Sequence, residues 1–338
     1  MLSDKRIQYL DYTKGFAILL MVFGHVEVCN PHIFNWIYSF HMPIFFIICG
    51  MLMFFRKRDG DISWGKILRK RIYQLGFPYL FGTIFLVSLF LSLQYVSHTP
   101  IKITDYLQQF IFLRGVSVMW FIPCYVVAEV CLAVVVSSSG KWMLVPFVLF
   151  IGLYVLINYY GLKSMHALNV ARMALGCLCG FIGFKVAKWN ILQKCSSMII
   201  LCMIVVGTVL SQIEGYTSMS ELNLGNPLLY FFTFLLLSIG FLSFFRRVEY
   251  NCSKSICKKV GYIFSYWGRN SIIILITHIL ILELFRLLDY KMFNLSVQNA
   301  GFVGSIPLTI LILALEIPII YLANHQLCFL FGKKKRYE

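Results

Sequence analysis

The chain has 338 residues, of which 59% are hydrophobic and only 13% are charged, and its mean hydropathy is +0.79. A soluble domain carries roughly 25% charged residues, so the composition excludes the soluble globular class. The net charge of +16 is a level found in nucleic-acid-binding proteins. The distribution of the basic residues along the chain argues against that class, and we expect no nucleic-acid partner.

Ten apolar runs of about 20 residues follow one another along the chain, and each is long enough to cross a bilayer as a helix. The runs are continuous, whereas strands of a membrane barrel alternate apolar and polar residues. The sequence therefore predicts an all-α, polytopic membrane helix bundle with about ten transmembrane helices and one integral membrane domain over residues 1–338. The runs lie near 16–33, 34–54, 75–96, 117–136, 142–161, 168–187, 196–213, 226–245, 270–288 and 304–331.

Basic residues alternate between dense and sparse loops. With a cytoplasmic N-terminus, 24 of the 30 Lys and Arg residues lie on the cytoplasmic side and only four lie outside. This asymmetry predicts that both termini are cytoplasmic and that the protein lies in the inner (cytoplasmic) cell membrane. The segment from Arg56 to Arg71 alone holds seven basic residues. Contact with anionic lipid explains such a cluster, and so does a polyanionic cytoplasmic ligand; composition does not separate the two.

The first apolar run contains the most informative pair of residues. Lys14 and His25 are eleven positions apart, which places them on one face of a helix and roughly 16 Å from each other. Ionisable groups inside a bilayer are costly and therefore mark functional sites. An imidazole titrates near neutral pH and suits a general base, although His25 could also be a packed side chain that donates to a neighbouring carbonyl.

Further ionisable residues fall within or at the ends of the predicted spans. Ser271 and His278 are seven residues apart and share one helix face. Glu129 lies in the middle of its span, where it could orient a histidine, pair with Arg172 or make a structural polar contact. The remaining members of this set are Glu27, His41, Glu283, Arg286 and Glu316.

Sequence signatures of several enzyme classes are missing from the chain. It has no Walker loop, no GxGxxG segment opening a helix and no HExxH. The predicted cytoplasmic loops are too short for a separate nucleotide-binding domain, which argues against an ATP-driven pump. We expect no metal site.

Five segments, in this order, resemble motifs of the acyltransferase 3 family of membrane-embedded O-acyltransferases, and the likeness is greatest to its fucose 4-O-acetylase-like subgroup. Residues 6–25 are similar to the family's "LD…KG…GH" opening, and residues 39–50 to "FHMPLFFFLSG", with Cys49 replacing the usual serine. The other three are Arg71 followed by Pro78-Tyr79, Trp120-Phe121-Ile122-Pro123, and Gly268-Arg269-Asn270-Ser271 through His278. Residues 140–260 match only in hydropathy, and acceptor specificity could lie there.

The resemblance implies a single acyltransferase domain that moves an acetyl group from cytoplasmic acetyl-CoA, as co-substrate, to a hydroxyl of a cell-surface or lipid-linked glycan. It implies His25 as the general base, with His278 and Glu129 as further catalytic candidates. Acetyl-CoA phosphates are expected at Lys14, Arg69, Lys70 and Arg71. Acceptor contacts are expected at His41, Trp120, Asn270 and Ser271. The sequence leaves the acceptor sugar and the oligomeric state open.

Two other classes of function remain as alternatives at this stage. A glycan transporter or flippase for exopolysaccharide export would also have many spans, with buried histidines along its path. Such a transporter is expected to show an internal repeat, and none is found. A non-catalytic membrane scaffold is the third alternative.

Overall fold

The computed structural model describes residues 6–26, 30–60, 62–96, 98–100, 103–138, 141–162, 164–251, 255–288 and 301–333. Within these ranges nearly all regular structure is helical, and the one β-bridge joins Ser218 and Asn223. The predicted all-α class is confirmed. The helices are α1 Gln8–His25, α2 Pro31–Phe40, α3 Pro43–Asp59, α4 Trp64–Arg71, α5 Phe77–Val96, α6 Ile103–Ile111, α7 Phe121–Ser137, α8 Leu144–Asn158, α9 Met165–Lys188, α10 Ile191–Lys194, α11 Ser197–Glu214, α12 Pro227–Asn251, α13 Ser255–Arg269, α14 Ser271–Leu288 and α15 Gly301–His325.

Eight helical segments of the described chain are long and apolar enough to cross a membrane. Residues 259–269 and 271–285 form a further pair, bent by 78°, which makes a ninth span if the two are counted together. The polytopic helical bundle is therefore confirmed. The predicted first span, 16–33, coincides only in part with α1, which ends at His25, carries Asp11 and Lys14 and is not among the eight. The cytoplasmic location of the termini stays a prediction.

The spans differ in how deeply they are buried, and this difference separates the centre of the bundle from its rim. In an apolar stretch of 18 residues within the α2–α3 span, 83% of the residues are buried. In the corresponding stretch of α9, 72% are buried. In those of α8 and α11, only 11% and 17% are buried. Their exposed apolar side chains, such as Leu144 and Leu201, are suited to contact with lipid tails.

Backbones touch where α3 crosses α9. A Cβ atom at Gly50 would lie 1.7 Å from the carbonyl oxygen of Gly180, and one at Gly183 would lie 2.0 Å from that of Ile47. Small residues allow this approach, which is the usual way in which membrane helices gain packing energy. The two most buried spans are therefore held together by glycines.

Glycine residues also allow a close backbone contact between α1 and α13. A Cβ atom at Gly15 would lie 1.9 Å from the carbonyl oxygen of Phe264, and one at Gly268 would lie 2.0 Å from that of Asp11. Because α1 carries Lys14 and α13 ends at Arg269, this contact brings two cationic side chains to the same place.

Two helix breaks place polar residues inside the bundle. Between α2 and α3 the helical hydrogen bonds are interrupted at His41 and Met42, immediately before Pro43, which has no N–H to donate. Between α13 and α14 the chain bends at Asn270, whose backbone carbonyl accepts from the N–H of Ile273. The side-chain oxygen of Asn270 accepts from Asn324 at 3.0 Å, which ties the bend to α15.

Substitution of Gly50 by alanine tests the α3–α9 contact. The added methyl group must push the two backbones apart, and overpacking of this kind costs about 1–3 kcal/mol. We expect Gly50→Ala to lower the melting temperature of the detergent-solubilised protein. In the control Gly152→Ala on α8, the new Cβ meets nothing within 4 Å, so the melting temperature should stay equal or rise slightly. Equal melting temperatures for both variants would contradict the close contact.

Candidate functional site

Two neighbouring cavities lie along α1. The first, which we call the basic cavity, has a volume of about 220 Å³ and extends along α1 from Arg6 to Met21. The second, which we call the histidine cavity, has a volume of about 40 Å³ and extends from Met21 to His25. Met21, Met42 and Leu275 line both. Because the two cavities share these three apolar side chains, we call them the wall.

The basic cavity contains more positive than negative charge. Its lining includes four cationic side chains and one carboxylate, that of the buried Asp11. The Arg6 Nε donates to the Asp11 carboxylate, and Lys14 Nζ and Arg269 Nε each lie 3.7 Å from it. One carboxylate cannot neutralise three cations, so the cavity is electrostatically suited to an anionic ligand.

Arg71, the fourth cation of the basic cavity, is held by a buried carboxylate. Its Nε and Nη2 donate to the two oxygens of Glu129 at 2.5 and 2.9 Å, and Arg56 Nη1 donates to Glu129 at 2.9 Å. Such a bidentate pair fixes both the position and the plane of the guanidinium. A π-helical turn, Ile72–Gly76, follows Arg71 directly; turns of this kind often occur at functional sites.

This network distinguishes among the three interpretations of Glu129. Its described bonds are those of a structural polar contact, made with Arg56 and Arg71 and not with a histidine or Arg172. The physical reason is geometric: the ends of α3 and α4 converge on α7 and present two guanidinium groups to one buried carboxylate. Glu129 therefore acts on the basic cavity through Arg71.

The predicted donor-binding residues separate into two groups. Lys14 and Arg71 line the basic cavity, whereas Arg69 and Lys70 are exposed on α4 and lie outside its lining. Three further charged lining residues were not among the predicted site residues, although the resembling segments contain all of them. They are Arg6, Asp11 and Arg269.

Three imidazoles lie in or beside the histidine cavity. His25 and His41 line it together with the hydroxyl-bearing side chains of Tyr38, Ser218 and Ser220. The ring of His278, which is 1% exposed, has its centroid 5.2 Å from that of His25. The spacing of Lys14 and His25 on α1 thus places one at each cavity.

Hydrogen bonds set the tautomers of two of these rings. Nδ1 of His41 lies 2.8 Å from the carbonyl of Ile37, and Nδ1 of His278 lies 2.6 Å from that of Ile274. Because a carbonyl only accepts, Nδ1 carries the proton in each ring. In a neutral ring Nε2 is then an acceptor, and the buried Nε2 of His278 has no hydrogen-bond partner within the described part of the chain.

The predicted acceptor-binding residues are dispersed. Trp120 lines the histidine cavity, and the guanidinium carbon of Arg172 lies 5.4 Å from its ring centroid. Ser271 lines the basic cavity. Asn270 lies outside the lining of both; it accepts from Lys333 Nζ at 3.1 Å in addition to Asn324. Its described contacts are those of a structural anchor at the helix bend.

Comparison with known protein families identifies the family to which the chain belongs. The family model for the acyltransferase domain of the acyltransferase 3 family matches residues 7–324. The chain belongs to the acyltransferase 3 family. No match was found among curated proteins or among solved structures. Membership implies acyltransferase activity in a membrane, and together with the apolar helices it makes this a multi-pass membrane protein.

An acyltransferase must bring an activated acyl group to a hydroxyl. In this member of the family, a cation-rich cavity and a histidine-rich cavity adjoin across Met21, Met42 and Leu275. No group of three or more potential metal-ligating side chains occurs among the residues whose positions are described. The side chains next to the wall are the ones that line the two cavities.

Substitution of Glu129 by glutamine tests the arginine network of this acyltransferase. The change leaves Arg71, which is only 16% exposed, without its carboxylate. Breaking a buried ion pair on one side costs about 3–5 kcal/mol, and we expect the lower end because Arg56 is 38% exposed. The melting temperature in detergent should fall clearly.

The control for that substitution is Asp59→Asn. Asp59 pairs with Arg58 at 3.4 Å on the exposed end of α3, and surface pairs contribute less than about 1 kcal/mol. Its melting temperature should stay close to that of the unmodified protein. Equal effects of the two substitutions would refute the role of Glu129 as the anchor of Arg71.

Proposed function

We propose that the protein is a membrane O-acetyltransferase that moves an acetyl group from acetyl-CoA to a hydroxyl of a cell-surface or lipid-linked glycan. His25 is the general base in this proposal. The supporting observation is the pair of adjoining cavities, with Lys14 in one and His25 in the other. The resemblance to the fucose 4-O-acetylase-like subgroup supports a sugar hydroxyl as the acceptor.

The donor fits the basic cavity on electrostatic grounds. Acetyl-CoA carries several phosphate charges, and Lys14, Arg71 and Arg269 supply cations in a partly enclosed space where their attraction is less screened than in water. Arg71 uses three of its five N–H donors on Glu129 and Gln74 in the described structure, which leaves two for a phosphate. A guanidinium already fixed in place loses little entropy on binding.

We assign the acceptor hydroxyl to the histidine cavity, whose volume of about 40 Å³ admits the reacting end of the acceptor and not a whole glycan. In the transfer step, a nitrogen of His25 takes the proton of the acceptor hydroxyl while that oxygen attacks the carbonyl carbon of the thioester. The carbon–sulfur bond breaks, and the leaving thiolate takes the proton from the imidazolium. The products are the acetylated glycan and free coenzyme A, and His25 returns to its neutral form.

The wall between the cavities has to admit the thioester. Two of its three side chains are methionines, which are unbranched and change rotamer readily. The phosphates stay among the cations while the flexible arm of the donor passes between Met21 and Met42. Lys14 and His25 are separated by about 16 Å along α1, a length that an extended arm can cover.

The orientation in the membrane follows from charge and permeability. Acetyl-CoA is made in the cytoplasm and cannot cross a bilayer, so the basic cavity faces the cytoplasm in this proposal. The excess of Lys and Arg in the predicted cytoplasmic loops supports the same orientation in the inner cell membrane. The histidine cavity then faces the other leaflet, where lipid-linked glycans are modified.

Replacement of His25 by alanine tests the assignment of the base. Release of free coenzyme A from radiolabelled acetyl-CoA, with a lipid-linked glycan acceptor, should fall by about 100-fold or more, the usual contribution of a general base. The control is His32→Ala, because His32 lies outside both cavities and Nδ1 of His32 lies 2.8 Å from Gln212.

Two results would overturn this part of the proposal. Normal coenzyme A release by a well-folded His25→Ala protein would remove His25 as the base. Failure of the unmodified protein to release coenzyme A with any glycan acceptor would favour the transporter alternative.

A second pair of substitutions tests where acetyl-CoA binds. We expect Lys14→Gln to raise the KM for acetyl-CoA about tenfold or more with a smaller change in kcat, because hydrogen bonds to charged groups contribute about 1.5–3 kcal/mol. Arg69→Gln removes the same charge from an exposed position outside the cavity and should change the KM much less. If Arg69→Gln raises the KM as much as Lys14→Gln does, the donor binds along α4 and not in the basic cavity.

A further inference from the structure

Arg172 is a buried cation that makes no ion pair at contact distance with a carboxylate among the described residues. It lies on α9 and is 4% exposed. Its Nε is buried with no hydrogen-bond partner, and among the described residues no hydrogen bond or ion pair of its guanidinium is found. The guanidinium instead lies over the ring of Trp120 at 5.4 Å. Arg114 and Glu221 act on it electrostatically with opposite signs.

Such a side chain is costly in a membrane-spanning helix. Burial of an unpaired charge is unfavourable by several kcal/mol, and a cation–π contact offsets only part of that cost. The same bundle pairs Arg71, its other largely buried arginine, with two oxygens of Glu129. Arg172 has no such described pair, and its buried Nε is without a hydrogen-bond partner among the described residues.

Arg172 is not itself among the residues that line the histidine cavity, and its link to that cavity is its contact with the ring of Trp120. The side chain of Trp120 lines that cavity together with His25 and Ser220. The described residues that line it supply imidazoles, hydroxyls, the indole and apolar side chains, and none of these described residues is an aspartate or a glutamate. Glu221, which follows the lining residue Ser220, acts electrostatically on Arg172 but is not part of this described lining.

We propose that Arg172 and Trp120 form an acceptor subsite that recognises a negatively charged sugar. A carboxylate or phosphate on the glycan pairs with the guanidinium of Arg172, while the indole of Trp120 packs against the sugar ring. The subsite rests on the proposed function, because it assigns a charge to the acceptor whose hydroxyl faces His25. Acetyl transfer is then selective for acidic over neutral glycans.

Three small probes of one sugar test this charge selectivity. They are methyl β-D-glucoside, methyl β-D-glucuronide and the 6-phosphate of methyl β-D-glucoside. Each is titrated against the purified full-length protein in detergent, and the melting temperature is followed, because a ligand that binds the folded state raises it. We expect the charged probes to raise it and the neutral glucoside to have little effect. A response to glucuronide alone indicates an acidic sugar, and a response to the phosphate alone indicates a sugar phosphate.

Substitutions assign the effect to Arg172. Arg172→Met keeps a long side chain against Trp120 and removes the charge, and it should weaken binding of the charged probe about tenfold or more. Arg114→Met removes a half-buried charge that acts on Arg172 from outside the cavity lining, and it should change the binding much less. Without ligand, Arg172→Met should be at least as stable as the unmodified protein, because it removes an uncompensated buried charge.

Several outcomes overturn the proposal. These are an equal response to neutral and charged probes, no response to any probe, an unchanged response in Arg172→Met, and a marked loss of ligand-free stability in that variant. The His25→Ala protein separates this proposal from the proposed function, since it should keep the charge-selective response after losing coenzyme A release. A charge-selective response without any acetyl transfer by the unmodified protein would support the subsite and contradict the transferase.

Discussion

The contact between the backbones of α1 and α13 is the constraint on which the site depends. Because Gly15 and Gly268 carry no Cβ atoms, the two helices approach until glycine and carbonyl oxygen touch. The approach brings the Asp11 carboxylate within reach of Arg269 and places α1 across the middle of the bundle. Lys14 and His25 then serve different cavities from one rigid helix, so their separation does not depend on loop conformation.

The charged side chains of the bundle differ in how completely they are paired. Asp11 is shared among three cations and leaves a positive excess at the basic cavity. Glu129 is shared between two arginines and serves to position Arg71. Arg172 has an aromatic face in place of a carboxylate. Pairing therefore decreases from Arg71, which has a bidentate carboxylate, to Arg172, whose described contact is with the ring of Trp120.

Periodicity and hydropathy predicted the apolar helices and the alignment of Lys14 with His25. Both features can be predicted because each is a local property of a single helix. The partners of Glu129 could not be predicted in this way. They lie 58 and 73 residues away, and only the convergence of three helices brings them together. Nor could the sequence distinguish Arg71, which lines the basic cavity, from Arg69 and Lys70, which do not. Composition shows a basic cluster, whereas the direction of each side chain depends on how α4 meets α7. Asn270 belongs to a matched segment, yet its described bonds hold a helix bend.

The wall formed by Met21, Met42 and Leu275 has a consequence for the membrane's ion balance. A continuous water column between the two cavities would conduct protons along the imidazoles and dissipate the gradient that the membrane maintains. Met21, Met42 and Leu275 line both cavities, and their apolar side chains disfavour such a column. In the proposed function, the arm of the donor fills the opening as it enters, so that the acyl group passes without a leak when the donor binds before the wall opens. Catalysis and insulation in that proposal depend on the same three side chains.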